Sequence, residues 1–194
     1  MKQAVVFGAY GGIGLAVVNE LLRAGYKVKP ISSDQINFIH GEVESHIDNL
    51  LSDVEPDVVI NCAGTFGDNS SNYYQTMDIN FGSNWFIIKH YLKNTAKPVN
   101  IVFVGSSAYK AGKKNYMLYS ASKAALHNLW EGAREFFADH NIAVNIVHPV
   151  RTKTKMVAPY DSNLDYLNPE EVAQVVVELA QSNTSSCKEI TFKE

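Results

Sequence analysis

The chain has 194 residues, enough for one domain with a well-buried core and short for two, so residues 1–194 are expected to form one domain. Hydrophobic residues make up 46% and charged residues 19%, which excludes a disordered chain. With a net charge of −3 and no block of Lys and Arg, a nucleic-acid or anionic-membrane partner is not expected. Cys62 and Cys187 are the only cysteines, far apart, and form neither a disulfide framework nor a metal-ligand pattern. The chain enters a strand-like run directly after Met1-Lys2-Gln3, and nowhere do about 18 apolar residues run together. A soluble, cytoplasmic protein is expected.

Residues 4–7 form the first β-branched apolar run. Gly8-Ala9-Tyr10-Gly11-Gly12-Ile13-Gly14 follows, and helical spacing then predicts a helix over 12–24. Glycines let the backbone turn tightly and approach a pyrophosphate, while the helix start presents free N–H groups and a positive dipole end. A plain connecting turn is the competing reading. The location at the first strand–helix junction of an α/β pattern favours dinucleotide binding by Gly8, Gly12, Ile13 and Gly14.

Residues 26–31 read as the second strand, ending at Ser32. Residues 36–39 could be another strand, but only four residues separate the two runs, too few for a parallel crossover. A helix is predicted over 43–53 and a strand over 58–60, closed by Asn61-Cys62-Ala63-Gly64. A long helix over 72–94 carries Asn80, a residue of poor helical propensity. The strand 101–104 leads through Gly105 to Ser106 and Ser107, and 116–139 reads as a helix holding Tyr119-Ser120-Ala121-Ser122-Lys123. Tyr119 and Lys123, at i and i+4, share one helix face. A nearby cation would lower the phenol's pKa from near 10, as an acid/base catalyst requires.

The strand 142–147 precedes His148-Pro149-Val150-Arg151-Thr152-Lys153-Thr154. His148 reads as a strand-end histidine. His40, His46, His90, His127 and His140 are scattered without metal-ligand spacing, so no metal is implied. Asn168-Pro169-Glu170-Glu171 opens a helix over 169–182, and a final strand is expected near 189–192. Strands alternating with helices predict a doubly wound, mostly parallel α/β sheet of Rossmann type with helices on both faces.

The Gly-x-x-x-Gly-x-Gly spacing resembles the short-chain dehydrogenase/reductase family, and three further motifs agree with it. Ser106, Tyr119 and Lys123 match the family's catalytic triad. The resemblance implies Tyr119 as proton donor, Ser106 as the group orienting the substrate carbonyl, and Lys123 as the cation that tunes Tyr119 and binds the nicotinamide ribose. It implies Asn80 as a residue holding a water in the proton relay. Asn61, Ala63 and Gly64 are similar to a segment beside the adenine ring, with Cys62 where the family has a second asparagine. Pro149 and Thr154 match the Pro-Gly-x-x-x-Thr segment near the carboxamide, with Val150 replacing the glycine. Against larger members of this architecture, a whole helix after residue 31 is missing. The implied activity is hydride transfer between a nicotinamide cofactor and a carbonyl or alcohol carbon. A catalytically silent dinucleotide sensor or scaffold is the rival reading, which an intact Ser106, Tyr119 and Lys123 argue against.

An acidic residue at the end of the second strand would select NAD by binding its ribose hydroxyls and repelling the extra phosphate of NADP. Ser32 stands there, followed by Ser33, which favours NADP(H). Asp34 nearby, and the lack of Lys or Arg in the glycine loop, argue the other way. The segment from Arg151 to Met156 is similar to that of small reductases in bacterial surface-polysaccharide pathways, implying a sugar-phosphate or nucleotide-sugar ketone bound by Arg151. Arg151 could equally contact the cofactor, and Lys153 and Lys155 could be solvated charges. Trp85, Phe86, Trp130, Phe136 and Phe137 on the helices 72–94 and 116–139 must partly cover the sheet. The family commonly pairs these helices across a twofold axis, which implies a homodimer or homotetramer.

Overall fold

A computed structural model describes residues 1–32, 42–157 and 164–192. Its six strands are β1 (Gln3–Phe7), β2 (Lys27–Ile31), β3 (Val58–Asn61), β4 (Val99–Val104), β5 (Ile142–Pro149) and β6 (Cys187–Ile190). They form one sheet in the order β2-β1-β3-β4-β5-β6, and every neighbouring pair is parallel. The chain first winds from β1 outward to β2, then returns to lay β3 on the other side of β1. That reversal opens a crevice at the carboxyl ends of β1 and β3, where doubly wound sheets take their ligands.

Strand periodicity divides the core into two layers. Val5, Phe7, Val59, Ile101, Phe103, Val144 and Ile146 face one side, where α2 (Val43–Val54), α4 (Ser83–Lys93) and α5 (Met117–Phe136) cover them. Ala4, Val6, Val58, Ile60, Val102, Val104 and Val147 face the other, under α1 (Gly12–Arg23) and α6 (Pro169–Ala180). Burial on both faces is why the inner strands read as continuous apolar runs rather than as alternation. β2 is an edge among the described residues, and it looks like one: Lys27 and Lys29 are exposed, and Pro30 removes a ladder donor.

The helix expected over 72–94 is three pieces. A short α3 (Tyr73–Met77) passes into a π-helical turn, Asp78–Gly82, before α4 begins. A wide turn leaves no mark in apolar periodicity, which is why the sequence suggests one helix. The last strand begins at Cys187, two residues before the expected 189–192. A two-residue slip keeps each side chain on its face, so the pattern cannot exclude it. Of the large aromatics, Trp130 and Phe137 are core, while Trp85 and Phe136 are exposed. Residues 36–39, with Ser33 and Asp34, lie outside the described residues. Among those described, no helix is long and apolar enough to cross a membrane.

Candidate active site

The glycine loop leaves β1 in a conformation most residues cannot adopt. Gly8 has φ +67°, and a Cβ there would fall 2.6 Å from the Ala63 backbone nitrogen. Only glycine lets the first loop lie against the turn that closes β3. Gly11 then caps α1 without any side-chain hydrogen bond, and the first turn of α1 carries no acid. The Gly12, Ile13 and Gly14 end of the helix therefore offers backbone N–H groups and the positive dipole end to the crevice. Gly8, Gly12, Ile13, Gly14, Ser32, Ala63 and Gly64 all line one cleft of about 870 Å³, with Thr154 at its other wall. Thr154 packs directly onto Gly12, where a Cβ would come within 2.5 Å of its methyl carbon.

Asn61, expected beside the adenine ring, instead turns inward. It is 1% exposed and does not line the cleft. Its Nδ2 donates to Ser83 Oγ and Asn84 Oδ1, both at 2.9 Å, and its Oδ1 accepts from the Ala63 N–H at 2.9 Å. A buried amide must satisfy its polar atoms, and this one does so by pinning the Cys62–Gly64 turn to α4. Asn80, fully buried in the π turn, has a similar role. Its Nδ2 donates to the Thr65 carbonyl at 2.9 Å and to Ser122 Oγ at 3.0 Å, while its Oδ1 accepts from the Thr65 N–H at 2.8 Å. Both amide hydrogens are committed to protein groups, so the side chain braces a loop rather than holding a water through its N–H.

Ser106, Tyr119 and Lys123 converge on a second, smaller cavity of about 180 Å³. Ser106 leaves β4 in extended backbone, and its Oγ accepts from the Ala108 N–H at 3.2 Å. Its own O–H is thereby left to donate, and it shares the cavity with the Tyr119 hydroxyl, which it holds down in pKa. Lys123, 4% exposed, donates from Nζ to the Val104 carbonyl at 3.2 Å, and Nζ lies 5.8 Å from the Tyr119 ring centroid. Burial pushes the Tyr119 phenol above its ordinary value, the Ser106 hydrogen bond pulls it down, and Tyr116 raises it. The expected lowering by Lys123 is therefore not what governs this geometry; desolvation prevails. Lys123 is itself pushed down to about 8 by burial.

Pro149, Arg151 and Thr154 line the same small cavity, as expected of the segment leaving β5. Arg151 is exposed at the rim, its Nε donating to the Asp165 carbonyl at 3.3 Å and its guanidinium 5.3 Å from the Phe192 ring. Several lining residues were not expected: Cys62, Phe66, Lys113 and Tyr116. Phe66 lies 4.9 Å from the Tyr119 ring and 5.1 Å from that of Tyr116, which makes an aromatic wall beside the phenol. Tyr116 stands three residues before Tyr119, at helical spacing that could have flagged it; Phe66 had no such signal. Burial pushes the Cys62 thiol up to about 12, so it stays neutral at pH 7.

A lysine held down near 8 carries a stability cost. In the unfolded chain Lys123 would protonate near 10.5, so the cost is full below about pH 8, fades as pH rises towards 10.5, and is absent above it. A shift of this size corresponds to about 3 kcal/mol at neutral pH. Lys123→Met, which keeps the stem, should therefore make the isolated protein more stable by about 1–3 kcal/mol at pH 7, with a smaller gain at pH 10. Urea unfolding at both pH values checks this; a variant destabilised equally at both would contradict it.

A family model described as short chain dehydrogenase matches residues 32–165. An uncharacterized oxidoreductase of Staphylococcus aureus is 26% identical over 226 residues, covering 99% of this chain and 96% of that protein. A short chain dehydrogenase from Burkholderia cenocepacia, solved in complex with NADP, has a TM-score of 0.84 at 20% identity, over 98% of this chain and 90% of that one. A 3-alpha-hydroxysteroid dehydrogenase from a Pseudomonas species, complexed with NADH, gives a TM-score of 0.84 at 18% identity, over 97% and 95%. The span matched by the family model includes Asn80, Ser106, Tyr119, Lys123 and Thr154, and the relative's coverage extends the likeness over the glycine loop. The chain belongs to the short-chain dehydrogenase family of NAD(P)-dependent oxidoreductases.

Proposed function

We propose that this protein reduces a small ketone or aldehyde with NADP(H), using Tyr119 as the proton donor. The observation that carries this reading is the convergence of the Ser106 and Tyr119 hydroxyls with buried Lys123 on one cavity, at the mouth of a cleft whose floor is the uncapped start of α1. The cleft fits a dinucleotide: the loop around Gly8 leaves room for backbone approach, and the α1 N–H groups suit a pyrophosphate. Gly8, Gly12, Ile13, Gly14, Ser32, Ala63, Gly64, Pro149 and Thr154 would hold it, with Lys123 toward the nicotinamide ribose. When bound, the dinucleotide supplies or accepts a hydride.

The remaining chemistry belongs to the chain. Ser106 donates its O–H to the substrate oxygen and orients the carbonyl. Tyr119 transfers its phenolic proton to the same oxygen as negative charge develops there, and Lys123 stabilises the phenolate that remains. Phe66 and Tyr116 wall the cavity and help exclude water from the reacting atoms. Asn61 and Asn80 act through the loop they brace, as positioning residues.

The rival reading, a silent nucleotide sensor, leaves the Ser106–Tyr119 pair without a purpose. Tyr119→Phe keeps the ring contacts but removes the transferable proton. It should bind cofactor normally and lose about 10²–10⁴-fold in turnover on a panel of carbonyl substrates. No wild-type turnover across the panel would favour the sensor, and a variant within twofold of wild type would remove Tyr119 from the chemistry.

Ser32 lines the cleft at the end of β2, and a hydroxyl there accepts the extra phosphate of NADP where a carboxylate would repel it. Side-by-side titration should give tighter binding for NADPH than for NADH; the opposite order reverses the preference. Among the described residues, the two cavities are lined by Lys113, Lys123, Arg151 and Lys155 and by no acid, which supports an anionic substrate such as a sugar-phosphate ketone. Arg151 can form a charge-assisted bond to a phosphate by exchanging its contact with the Asp165 carbonyl. The exposed Trp85 and Phe136, on α4 and α5, support pairing of copies through these helices. For Arg151→Ala, a phosphorylated ketose should lose about 1.5–3 kcal/mol more in kcat/KM than its unphosphorylated form. Equal losses would take Arg151 out of the substrate site.

A further inference from the structure

Three residues far apart in sequence meet on the α5 side of the sheet, next to the active site. Cys187 pairs in register with Ile146 on β5, two residues before His148, so Cys187 and His148 project from the same face of adjacent strands. α5 lies over that face and brings His127 onto them. His127 Nδ1 is 3.0 Å from His148 Nε2, and one ring nitrogen of each histidine and the Cys187 sulfur lie within 4.8 Å of one another. Tetrahedral zinc, with bonds of about 2.0–2.1 Å to nitrogen and about 2.3 Å to sulfur, holds its donor atoms about 3.3–3.7 Å apart. The three atoms need only small movements to reach that arrangement.

We propose that His127, His148 and Cys187 form a metal site for a thiophilic divalent cation, zinc above all, with the fourth position left to water.

The outer contacts suit the donor atoms. His148 Nδ1 lies 3.2 Å from both the amide nitrogen and the carbonyl oxygen of Ser106, so either tautomer finds a partner. A metal on Nε2 selects the tautomer in which Nδ1–H donates to the Ser106 carbonyl, a common second contact of a metal-bound imidazole. On His127, Nδ1 faces His148, and Nε2 points toward Glu131, 3.8 Å from its Oε1. Without a cation, the 3.0 Å approach needs a proton between the rings, and a metal replaces that proton. Histidine and thiolate donors suit zinc and exclude magnesium or calcium, which take oxygen ligands. His127 has 21% side-chain exposure and Cys187 is partly exposed, so an ion can enter from solvent. The balance is simple: Cys187 releases its thiol proton to solvent, the proton between the rings moves to the outer nitrogen of the ring that carries it, and no redox partner is needed.

Cobalt(II) binding to the full chain tests the site, because a thiolate ligand gives a sulfur-to-cobalt charge-transfer band in the near ultraviolet and tetrahedral coordination gives intense visible bands. One equivalent should bind and show both, zinc should displace it, and the melting temperature should rise with zinc concentration. Cys187→Ser should abolish the charge-transfer band, whereas Cys62→Ser should keep it. His127→Gln should weaken zinc at least tenfold. Circular dichroism confirms that the variants are folded; both ligand positions tested are only partly buried, and His148 is left intact. Binding without the charge-transfer band, loss of the band in Cys62→Ser, or affinity unchanged in both Cys187→Ser and His127→Gln would overturn the site.

Discussion

A run of buried amides and hydroxyls ties the end of β3 to α5, the helix that carries Tyr119, and the cleft hangs on it. Asn61 holds the Cys62–Gly64 turn from below and reaches Ser83 and Asn84; Asn84 Nδ2 donates to the Asn80 carbonyl at 3.0 Å. Asn80 clasps both backbone groups of Thr65 and donates to Ser122, whose hydroxyl donates to the Tyr119 carbonyl at 2.7 Å. Leaving one buried polar atom unpaired costs about 1–3 kcal/mol, so a partly made network is worse than none. That threshold converts many modest hydrogen bonds into one geometry for the turn. The π turn matters here because Asn80 sits inside it, and wide turns of this kind recur at functional sites.

The same turn is gripped from its other side. Gly8 lies so close to the Ala63 backbone that no side chain fits between them, and Gly64 faces Lys123 across 3.7 Å measured from the place of a Cβ. Backbone from the ends of β1 and β3 therefore packs closely around the cleft. Lys123 is the cost of this arrangement: a cation kept out of water, held by one carbonyl, with its pKa pushed down by burial. Catalytic sites commonly keep such groups at the expense of stability.

Much of the cleft was legible because its chemistry is local. The glycine loop is seven residues, Tyr119 and Lys123 are one helical turn apart, and Ser106 ends the strand before them. The alternation of strand and helix then decides at which end of the sheet they meet. Asn61 and Asn80 were visible as unusual residues, yet their partners Ser83, Asn84, Thr65 and Ser122 come from other elements, so bracing could not be told from ligand contact. The direction of the Tyr119 shift went the same way. A cation at i+4 is readable in one dimension, whereas desolvation depends on everything packed around the phenol.

The histidines make the limit of spacing arguments concrete. Short, regular intervals between ligands mark metal sites built from one hairpin or one helix turn, and the intervals from 127 to 148 to 187 have no such form. In a parallel sheet, neighbouring strand positions are separated by a whole crossover, so side chains that touch stand tens of residues apart. His148 and Cys187 are neighbours only through the β5–β6 register, just as Asn61 and Phe103 are paired across β3 and β4. On the helix, by contrast, a pattern was present: Tyr119, Lys123, His127 and Glu131 recur every four residues along one stripe of α5. The stripe starts at the phenol, passes the buried ammonium, and runs on into the imidazole cluster. One helix face thus runs past both places, and Ser106 lies between them on the strand side, lining the cavity with Tyr119 and touching His148 through its backbone.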